Sequence, residues 1–147
     1  ATENFRGVYY GQAALPLPGE PLRYVIWDSL EDCTAYNFET GETTGVYQME
    51  KLEGKDPYDI FLGGACALIT VDNPSAQAAG IDRELILFRD SFGSSMAPLL
   101  LPAYSRITLV DLRYLKSDFL DQFIDFHGQD VLFLYGAAML NESYTLK

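Results

Sequence analysis

Length, composition and charge exclude several classes of protein before any motif is considered. The chain has 147 residues, which fits one compact domain, and 48% of them are hydrophobic, which excludes a wholly disordered chain. Its 21 acidic and 10 basic side chains give a formal net charge of −11, so phosphate backbones and anionic lipid surfaces are repelled. No apolar run approaches the roughly 20 residues that span a bilayer. We therefore expect neither a nucleic-acid partner nor membrane insertion.

The N-terminal half is predicted to contain a β-hairpin and one further strand. Aromatic and β-branched residues over 33–38 and 43–47 flank a link that contains Gly41, a pattern typical of a hairpin. The second half of the segment 60–71 is a continuous apolar run that has the length of a strand. The segment 72–80 is rich in turn formers and is predicted to be a loop.

From residue 84 the chain alternates apolar runs with segments of helical pattern. The runs at 85–88, 107–110 and 131–135 are typical of strands that are buried on both faces. A helix is predicted from Met96 to about Ala103, with its N-terminus capped by hydroxyls of the preceding turn. In that helix Pro98 falls near the first turn, where its missing N–H costs little.

A second helix is predicted between the last two strands. Ser117 would cap it, Gly128 would end it, and its apolar stripe would consist of Phe119, Leu120, Phe123 and Ile124. Short links of this kind force parallel strands joined by right-handed crossovers. The sequence therefore predicts an α/β fold, with a parallel βαβαβ C-terminal half and an irregular N-terminal part that contains the hairpin.

Three polar residues follow the predicted parallel strands at their carboxyl ends, where open α/β sheets bind ligands. Asp90 and Ser91 come after the run 85–88, and Asp111 comes after 107–110. A serine at a strand-to-helix turn has the position of a nucleophile, because N–H groups of the following helix can stabilise an oxyanion. The alternative is that Ser91 only caps the helix.

The two aspartates of this edge allow a second interpretation. Asp90 and Asp111 could together hold a divalent cation or form a phosphorylatable receiver site, but aspartate is also frequent at strand ends for turn formation alone. No lysine follows the apolar strands, which argues against a receiver domain. We predict no metal and no cofactor, and we treat both residues as acidic neighbours of the site.

The chain has a single histidine, and its predicted place is far from Ser91. His127 lies in an Asp-x-His sequence, but it precedes the strand at 131–135 and so belongs to the amino edge of the sheet. Ser91 belongs to the carboxyl edge, and a strand of about five residues at roughly 3.3 Å each separates the two edges. We therefore interpret His127 as a helix C-terminal residue and expect Ser91 to lack a base within this chain.

The two cysteines do not form a recognisable motif. The spacing of Cys33 and Cys66 matches neither a CxxC redox motif nor a zinc site. Because both lie in apolar surroundings, we expect two buried free thiols.

Six short segments form an ordered series: ENFRG at 3–7, FLGG at 61–64, LILFRDSF at 85–92, PLLLPAYS at 98–105, VDLRY at 110–114 and DVLFLY at 130–135. The series resembles the C-terminal portion of the DHHW family. Members of that family are bacterial extracytoplasmic proteins related to the SGNH hydrolases and to alginate O-acetyltransferase-like proteins. The resemblance implies that residues 1–147 form a single SGNH-like domain, the C-terminal part of a longer chain. The first residue, Ala1 rather than Met, leads to the same expectation.

The resemblance also implies roles for individual residues. Ser91 occupies the place of the family's presumed nucleophile, whose Asp-x-His partners lie in a DHHW-type segment upstream of the matched region. Gly63 and Gly64, with Gly93 in the turn before the predicted helix, are the expected oxyanion donors, although a tight turn explains the paired glycines equally well. Family members often carry Asn directly after the paired glycines, where this sequence has Ala65.

Two functions of different classes follow from these observations. The first is an extracytoplasmic SGNH-like esterase or O-acetyltransferase relative that acts on carbohydrate, with an incomplete triad that leaves this chain alone inactive. The second is a non-catalytic binding or scaffold module on the cell surface, whose 10 Tyr and 9 Phe residues could stack on sugar rings. Both imply a carbohydrate or acyl ester ligand. Missing upstream strands would also leave a sheet edge through which two copies could pair.

Overall fold

A six-stranded mixed sheet forms the centre of the molecule. The computed structural model describes residues 2–14 and 16–146, so Ala1 lies outside the described residues. Within those residues, β1 and β2 form a separate antiparallel pair, and the other strands lie in the order β4-β3-β5-β7-β6-β8. The strands are β1 (Thr2–Phe5), β2 (Glu20–Leu22), β3 (Thr34–Asn37), β4 (Thr43–Gly45), β5 (Leu68–Asp72), β6 (Glu84–Arg89), β7 (Arg106–Val110) and β8 (Asp130–Leu134).

The helices of the described residues are short. The α-helices are α1 (Val8–Ala13), α2 (Pro74–Ala78), α3 (Gly93–Leu100) and α4 (Ala137–Asn141). The 3-10 helices are Leu30–Asp32, Met49–Glu53, Pro57–Ile60, Leu101–Ala103, Ser117–Gln122 and Ser143–Thr145.

The C-terminal half has the parallel arrangement that its apolar runs predicted. β6 pairs parallel with β7 on one side, with Leu85 opposite Ile107, and parallel with β8 on the other side, with Leu85 opposite Asp130. α3 carries the chain from β6 to β7. The predicted α/β fold class is therefore confirmed.

The N-terminal half supplies the antiparallel part of the same sheet. β3 and β4 form the predicted hairpin, with Ala35 opposite Thr44. β5 pairs antiparallel with β3 and with β7, and thus joins the hairpin to the parallel strands. β1 and β2, which the sequence did not predict as a pair, lie outside this sheet.

Both faces of β6 are covered, as its continuous apolar run predicted. Successive side chains of a strand point to opposite faces. Leu85 and Leu87 belong to a core cluster that includes Ala97 of α3. Ile86 and Phe88 belong to a second core cluster, which also contains residues of the β7–β8 connection. This double burial fixes the strand that leads into Ser91.

The predicted start of α3 was wrong. The helix begins at Gly93 instead of Met96, and no side-chain hydroxyl caps it. The Asp90 carboxylate organises the preceding turn instead, because its Oδ1 accepts a hydrogen bond from the Phe92 N–H at 3.0 Å. The earlier start places Pro98 in the second turn of the helix rather than in the first.

The segment 72–80 contains α2, although the sequence predicted a loop. The Asn73 side chain caps this helix by accepting a hydrogen bond from the Ala76 N–H at 3.1 Å. Pro74 occupies the first turn, where a missing N–H is tolerated. Turn-forming residues therefore begin a short helix here.

The β7–β8 connection contains the 3-10 helix Ser117–Gln122, where an α-helix was predicted, and Ser117 is not its N-cap. A 3-10 helix has about three residues per turn, so positions that share a face in an α-helix diverge. The predicted stripe is divided into a buried pair, Leu120 and Ile124, and an exposed pair, Phe119 and Phe123.

β8 forms an edge of the sheet, although its sequence predicted a buried strand. It pairs with β6, and no other strand of residues 2–14 and 16–146 lies along its second edge. Val131 and Phe133 are 52% and 62% exposed. The Phe133 ring stacks on Phe88 with 4.7 Å between the ring centroids. β8 thus has the apolar composition of an inner strand, but it lies at the edge of the sheet.

Candidate functional site

The turn between β6 and α3 places Ser91 at the carboxyl edge of the parallel strands. Asp90 is buried and connects this turn to the end of β8: its Oδ2 accepts a hydrogen bond from the Gly136 N–H at 2.7 Å. Its other oxygen accepts from the Phe92 N–H. Asp90 therefore holds Ser91 between the ends of two neighbouring strands.

A buried charge network lies directly behind this turn. Asp111, at the end of β7, accepts hydrogen bonds from Arg113 Nε at 2.9 Å and Nη2 at 2.6 Å. The same carboxylate lies 3.7 Å from Nη1 of Arg89, and the side chains of Asp111 and Arg89 are both 0% exposed. The Asp111 carboxylate thus contacts two arginine side chains, Arg89 and Arg113.

Arg89 connects three segments of the site. Its Nη2 donates to the Cys66 carbonyl at 3.2 Å, and its Nη1 lies 3.5 Å from the Asp90 carbonyl. Burial lowers the pKa of the Arg89 guanidinium, and the neighbouring Asp111 carboxylate offsets part of that change. Its Nε has no hydrogen-bond partner among the described residues. Arg89 holds the serine turn against the loop that contains the paired glycines.

A cavity of about 580 Å³ opens beside Ser91. Phe92 and Ser94 line it on the side of α3, and Gly64 and Ala65 line it on the side of the glycine loop. The opposite wall comes from the N-terminal segment, which includes β1, α1 and the approach to β2. The serine that the sequence singled out therefore lines a cavity that is partly open to solvent.

Tyr58 connects the N-terminal wall to the serine turn. Its hydroxyl donates to Ser95 Oγ at 2.8 Å and lies 3.1 Å from the Ser91 carbonyl oxygen. The Phe5 ring of β1 stacks on Tyr58 with 6.3 Å between the centroids. Burial raises the pKa of the Tyr58 phenol, so the hydroxyl is neutral near neutral pH. Tyr58 therefore contacts both the N-terminal wall, through its ring, and the serine turn, through its hydroxyl.

The three expected oxyanion donors occupy different places. Gly64 lines the cavity with Ser91, and its N–H donates to the Phe61 carbonyl at 3.3 Å. Gly63 faces Gln48, since an added Cβ would lie 2.6 Å from Gln48 Nε2. The N–H of Gly93 donates to the Asp90 carbonyl at 3.0 Å and so closes the turn.

The glycine loop has a backbone that side chains rarely adopt. Leu62, Gly63 and Gly64 have φ values of 59°, 78° and 98°. Residues with side chains seldom occupy this left-handed region, and glycine occupies it freely. An added Cβ at Gly64 would lie 2.5 Å from Asp59 Oδ1, so both φ and packing require glycine there.

His127 lies at the opposite end of β6 from Ser91. Its Nε2 is 3.8 Å from the carboxylate of Glu84, the first residue of β6. Its Nδ1 is 2.8 Å from the Asp125 carbonyl oxygen. The predicted separation is therefore confirmed, but the interpretation as a helix C-terminal residue was wrong, because the preceding 3-10 helix ends at Gln122.

Cys33 and Cys66 are both buried and carry free thiols, as the sequence predicted. Burial, with a contribution from Asp32, raises the pKa of the Cys33 thiol to about 11. Burial also raises the pKa of Cys66, whose Sγ lies 3.1 Å from Asn37 Oδ1. Both thiols are therefore protonated and weakly nucleophilic near neutral pH.

Sequence reasoning missed Arg89, Tyr58 and the N-terminal wall. Arg89 gave a weak signal, because it directly follows a four-residue apolar run and precedes Asp90. Tyr58 gave none, because it reaches Ser91 through long-range contacts, and the only signal for the wall was the segment 3–7, to which no role in the site was assigned.

Among the described residues there is neither a metal-binding cluster nor a membrane-spanning helix. No group of three or more His, Cys, Asp or Glu side chains in 2–14 and 16–146 is arranged to hold a metal ion. No helix in that part of the chain has the length and apolarity to cross a membrane.

The chain is similar to several solved structures. It aligns with the structure of Bacillus cereus PatB1 with a sulfonyl adduct at a TM-score of 0.63 and 19% identity, over 95% of this chain and 46% of that chain. A second structure of Bacillus cereus PatB1 aligns at a TM-score of 0.52 and 21% identity, over 74% of this chain and 36% of that chain. A DHHW family protein from Eubacterium siraeum aligns at a TM-score of 0.48 and 22% identity, over 70% of this chain and 34% of its own.

No family model matches the chain. No curated protein matches it. The chain spans less than half the length of the solved structures reported above. At these identities the likeness is one of fold, and at that level it agrees with the resemblance that the ordered motifs indicated. The chain therefore has an α/β fold like that of the part of Bacillus cereus PatB1 with which it aligns.

Proposed function

We propose that this domain presents Ser91 as the nucleophile of an extracytoplasmic SGNH-like esterase or acyltransferase that acts on acylated carbohydrate. The observation that carries the proposal is the position of Ser91, which follows a doubly buried parallel strand and lines a cavity of about 580 Å³. Strand-to-helix turns at this edge are where α/β enzymes place catalytic serines. The SGNH-like fold supports the same assignment.

The chemistry assigned to Ser91 is acyl transfer. Its Oγ attacks the ester carbonyl carbon, the bond to the alcohol oxygen breaks, and the alcohol leaves with the proton that a base took from the serine. Water or an acceptor hydroxyl then removes the acyl group. Gly64 and Ala65 line the same cavity, so their loop faces the carbonyl oxygen in this scheme.

The base has to come from outside these 147 residues. His127 is the only histidine of the sequence, and it contacts Glu84 at the far end of β6. In the family that the motifs resemble, the partners of the serine lie in an upstream DHHW-type segment. We therefore assign the imidazole to such a segment in a longer protein that contains this chain.

The test is hydrolysis of a chromogenic acetyl ester by a protein that carries this chain together with its upstream segment. We expect turnover that Ser91→Ala abolishes and that Ser117→Ala, a change at an exposed serine, leaves intact. The 147-residue chain alone is expected to give no turnover. Equal turnover with and without the Ser91 hydroxyl would remove the nucleophile assignment.

A second candidate is a non-catalytic binding module, and the position of His127 favours it. A serine without an imidazole in reach is a weak nucleophile, so a chain that never meets an upstream base would bind without reacting. Ligand binding by the longer protein, combined with the absence of any Ser91-dependent turnover, would establish this alternative.

A further inference from the structure

We infer that the cavity beside Ser91 holds the apolar acyl chain of an uncharged ester, with a chain of medium length rather than an acetyl group. The orientation of the ester, with its carbonyl at Ser91, rests on the proposed function. The preference for an apolar acyl chain of medium length rests on the residues that line the cavity.

The wall opposite Ser91 is apolar. Most of its side chains are apolar or aromatic, namely Phe5, Val8, Tyr10, Ala13, Leu17 and Pro18, and the same N-terminal segment adds the charged Arg6 and Glu20. Val8 and Leu17 are 58% and 55% exposed, so a ligand in the cavity would remove apolar surface from water. Apolar groups make up most of the cavity surface, so a hydrocarbon chain would contact more of it than a hydroxyl-rich ligand would.

The wall is held in place by packing at its base. Phe5 stacks on Tyr58, and Tyr58 in turn contacts the serine turn through its hydroxyl. Leu22 of β2 is buried in a cluster with Ile60 and Phe61. The β1–β2 pair is therefore attached to the same segment that carries Tyr58, which keeps the apolar wall facing Ser91.

The volume of the cavity exceeds the needs of an acetyl group. The cavity of about 580 Å³ lies within the range of roughly 300–1,000 Å³ typical of sites for small-molecule ligands. An acetyl group has two carbons and one oxygen and would leave most of that space to water. A longer straight chain can run from Ser91 along the apolar wall.

The charges around the cavity favour an uncharged ligand. Three lining residues, Glu20, Asp56 and Asp59, are acidic. The one basic lining residue, Arg6, stacks its guanidinium on the Tyr10 ring at 4.9 Å from the centroid. The acidic groups outnumber it, so phosphorylated or carboxylate-bearing ligands are repelled.

The experiment measures binding to the 147-residue chain and needs no catalysis. The ligands are the 1-monoacylglycerols with acetyl, butanoyl, hexanoyl and octanoyl chains, and the readout is isothermal titration calorimetry. Each methylene that enters the cavity should tighten binding about fourfold, equivalent to about 0.8 kcal/mol, until the apolar wall is covered. Octanoate, which has the same chain and a negative charge, should bind more weakly than octanoylglycerol.

A matched pair of valines locates the site. Val8→Asp places a charge on the apolar wall and should abolish the dependence on chain length, whereas Val25→Asp changes a similarly exposed valine outside the lining and should leave it intact. Equal affinity for the acetyl and octanoyl ligands, or equal losses in the two valine variants, would overturn the inference.

The two proposals fail separately. Binding that rises with chain length, combined with no Ser91-dependent turnover in the longer protein, contradicts the proposed function but leaves the ligand class standing. Ser91-dependent turnover without any preference for longer chains contradicts the ligand class alone.

Discussion

The two ends of β6 carry similar residues in opposite environments. At the carboxyl end, Arg89 and Asp111 form a pair whose side chains are both 0% exposed. At the amino end, Arg83 and Asp130 form a pair whose side chains are 65% and 46% exposed. Removal of one partner of a buried pair leaves an uncompensated charge, whereas water replaces the lost partner at the surface. We therefore expect that substitutions in the ion pair at the Ser91 end of β6 destabilise the fold, and that substitutions in the ion pair at the His127 end are tolerated.

The largest effect is expected from Asp111→Asn, which leaves Arg89 buried without a full counter-charge. We expect a loss of about 3–5 kcal/mol in the free energy of unfolding, measured by urea denaturation. Asp130→Asn, at the exposed pair, should leave the denaturation midpoint almost unchanged. The double variant Arg89→Met with Asp111→Leu should recover most of the loss, because it removes both fully buried charges and leaves only the partly exposed Arg113 without its partner. Similar losses in the two single variants would contradict the contrast between the ends.

A smaller effect is expected from Asp90→Asn. An amide nitrogen would replace one of the two oxygens that accept from the Phe92 and Gly136 N–H groups, so one partly buried donor would lose its partner. We expect a cost of about 1–3 kcal/mol, together with faster amide exchange at Gly136. The control is Asp125→Asn at an exposed residue. Unchanged exchange at Gly136 would show that Asp90 does not connect β6 to β8.

At the amino end, Glu84→Gln should have little effect. The Glu84 carboxylate lies 3.8 Å from His127 Nε2, and the His127 side chain is 56% exposed. Exposed pairs of this kind contribute less than about 1 kcal/mol. Urea denaturation at pH 6 is the measurement, and a loss as large as that of Asp111→Asn would show that the two ends are equivalent.

The smallest effect concerns acid pH. Hydrogen bonds from Arg83 and Tyr104 hold the pKa of Asp130 below its ordinary value. A carboxylate whose pKa is lower in the folded state stabilises the fold above its unfolded pKa of about 3.9, and that contribution disappears as the pH falls through the folded pKa. NMR titration of the Asp130 carboxyl in Arg83→Gln should show a pKa closer to the ordinary value. An unchanged titration would remove Arg83 as the cause.

The strand framework could be predicted from sequence because each element carried its own local signal. Apolar runs marked β6 and β7, and the short links between them required parallel pairing. The distance between Ser91 and His127 followed from that topology alone. The hairpin of β3 and β4 followed from its aromatic and β-branched strands.

The parts that failed depend on contacts between distant segments. Charged side chains are seldom fully buried, so nothing in the sequence placed Arg89 in the core. The helix predicted after Ser117 assumed α-helical periodicity, which a 3-10 helix does not follow. β8 has an apolar composition that cannot tell an inner strand from an edge, because only the presence of a neighbouring strand decides that.

The open side of β8 limits how the 147-residue chain can be stored and concentrated. Its backbone groups and the exposed Val131 form a template to which another extended peptide can add. Turbidity should therefore grow with protein concentration in stock solutions. A single lysine at position 131 should raise the solubility limit without touching the serine turn, and would make a practical starting point for labelled samples.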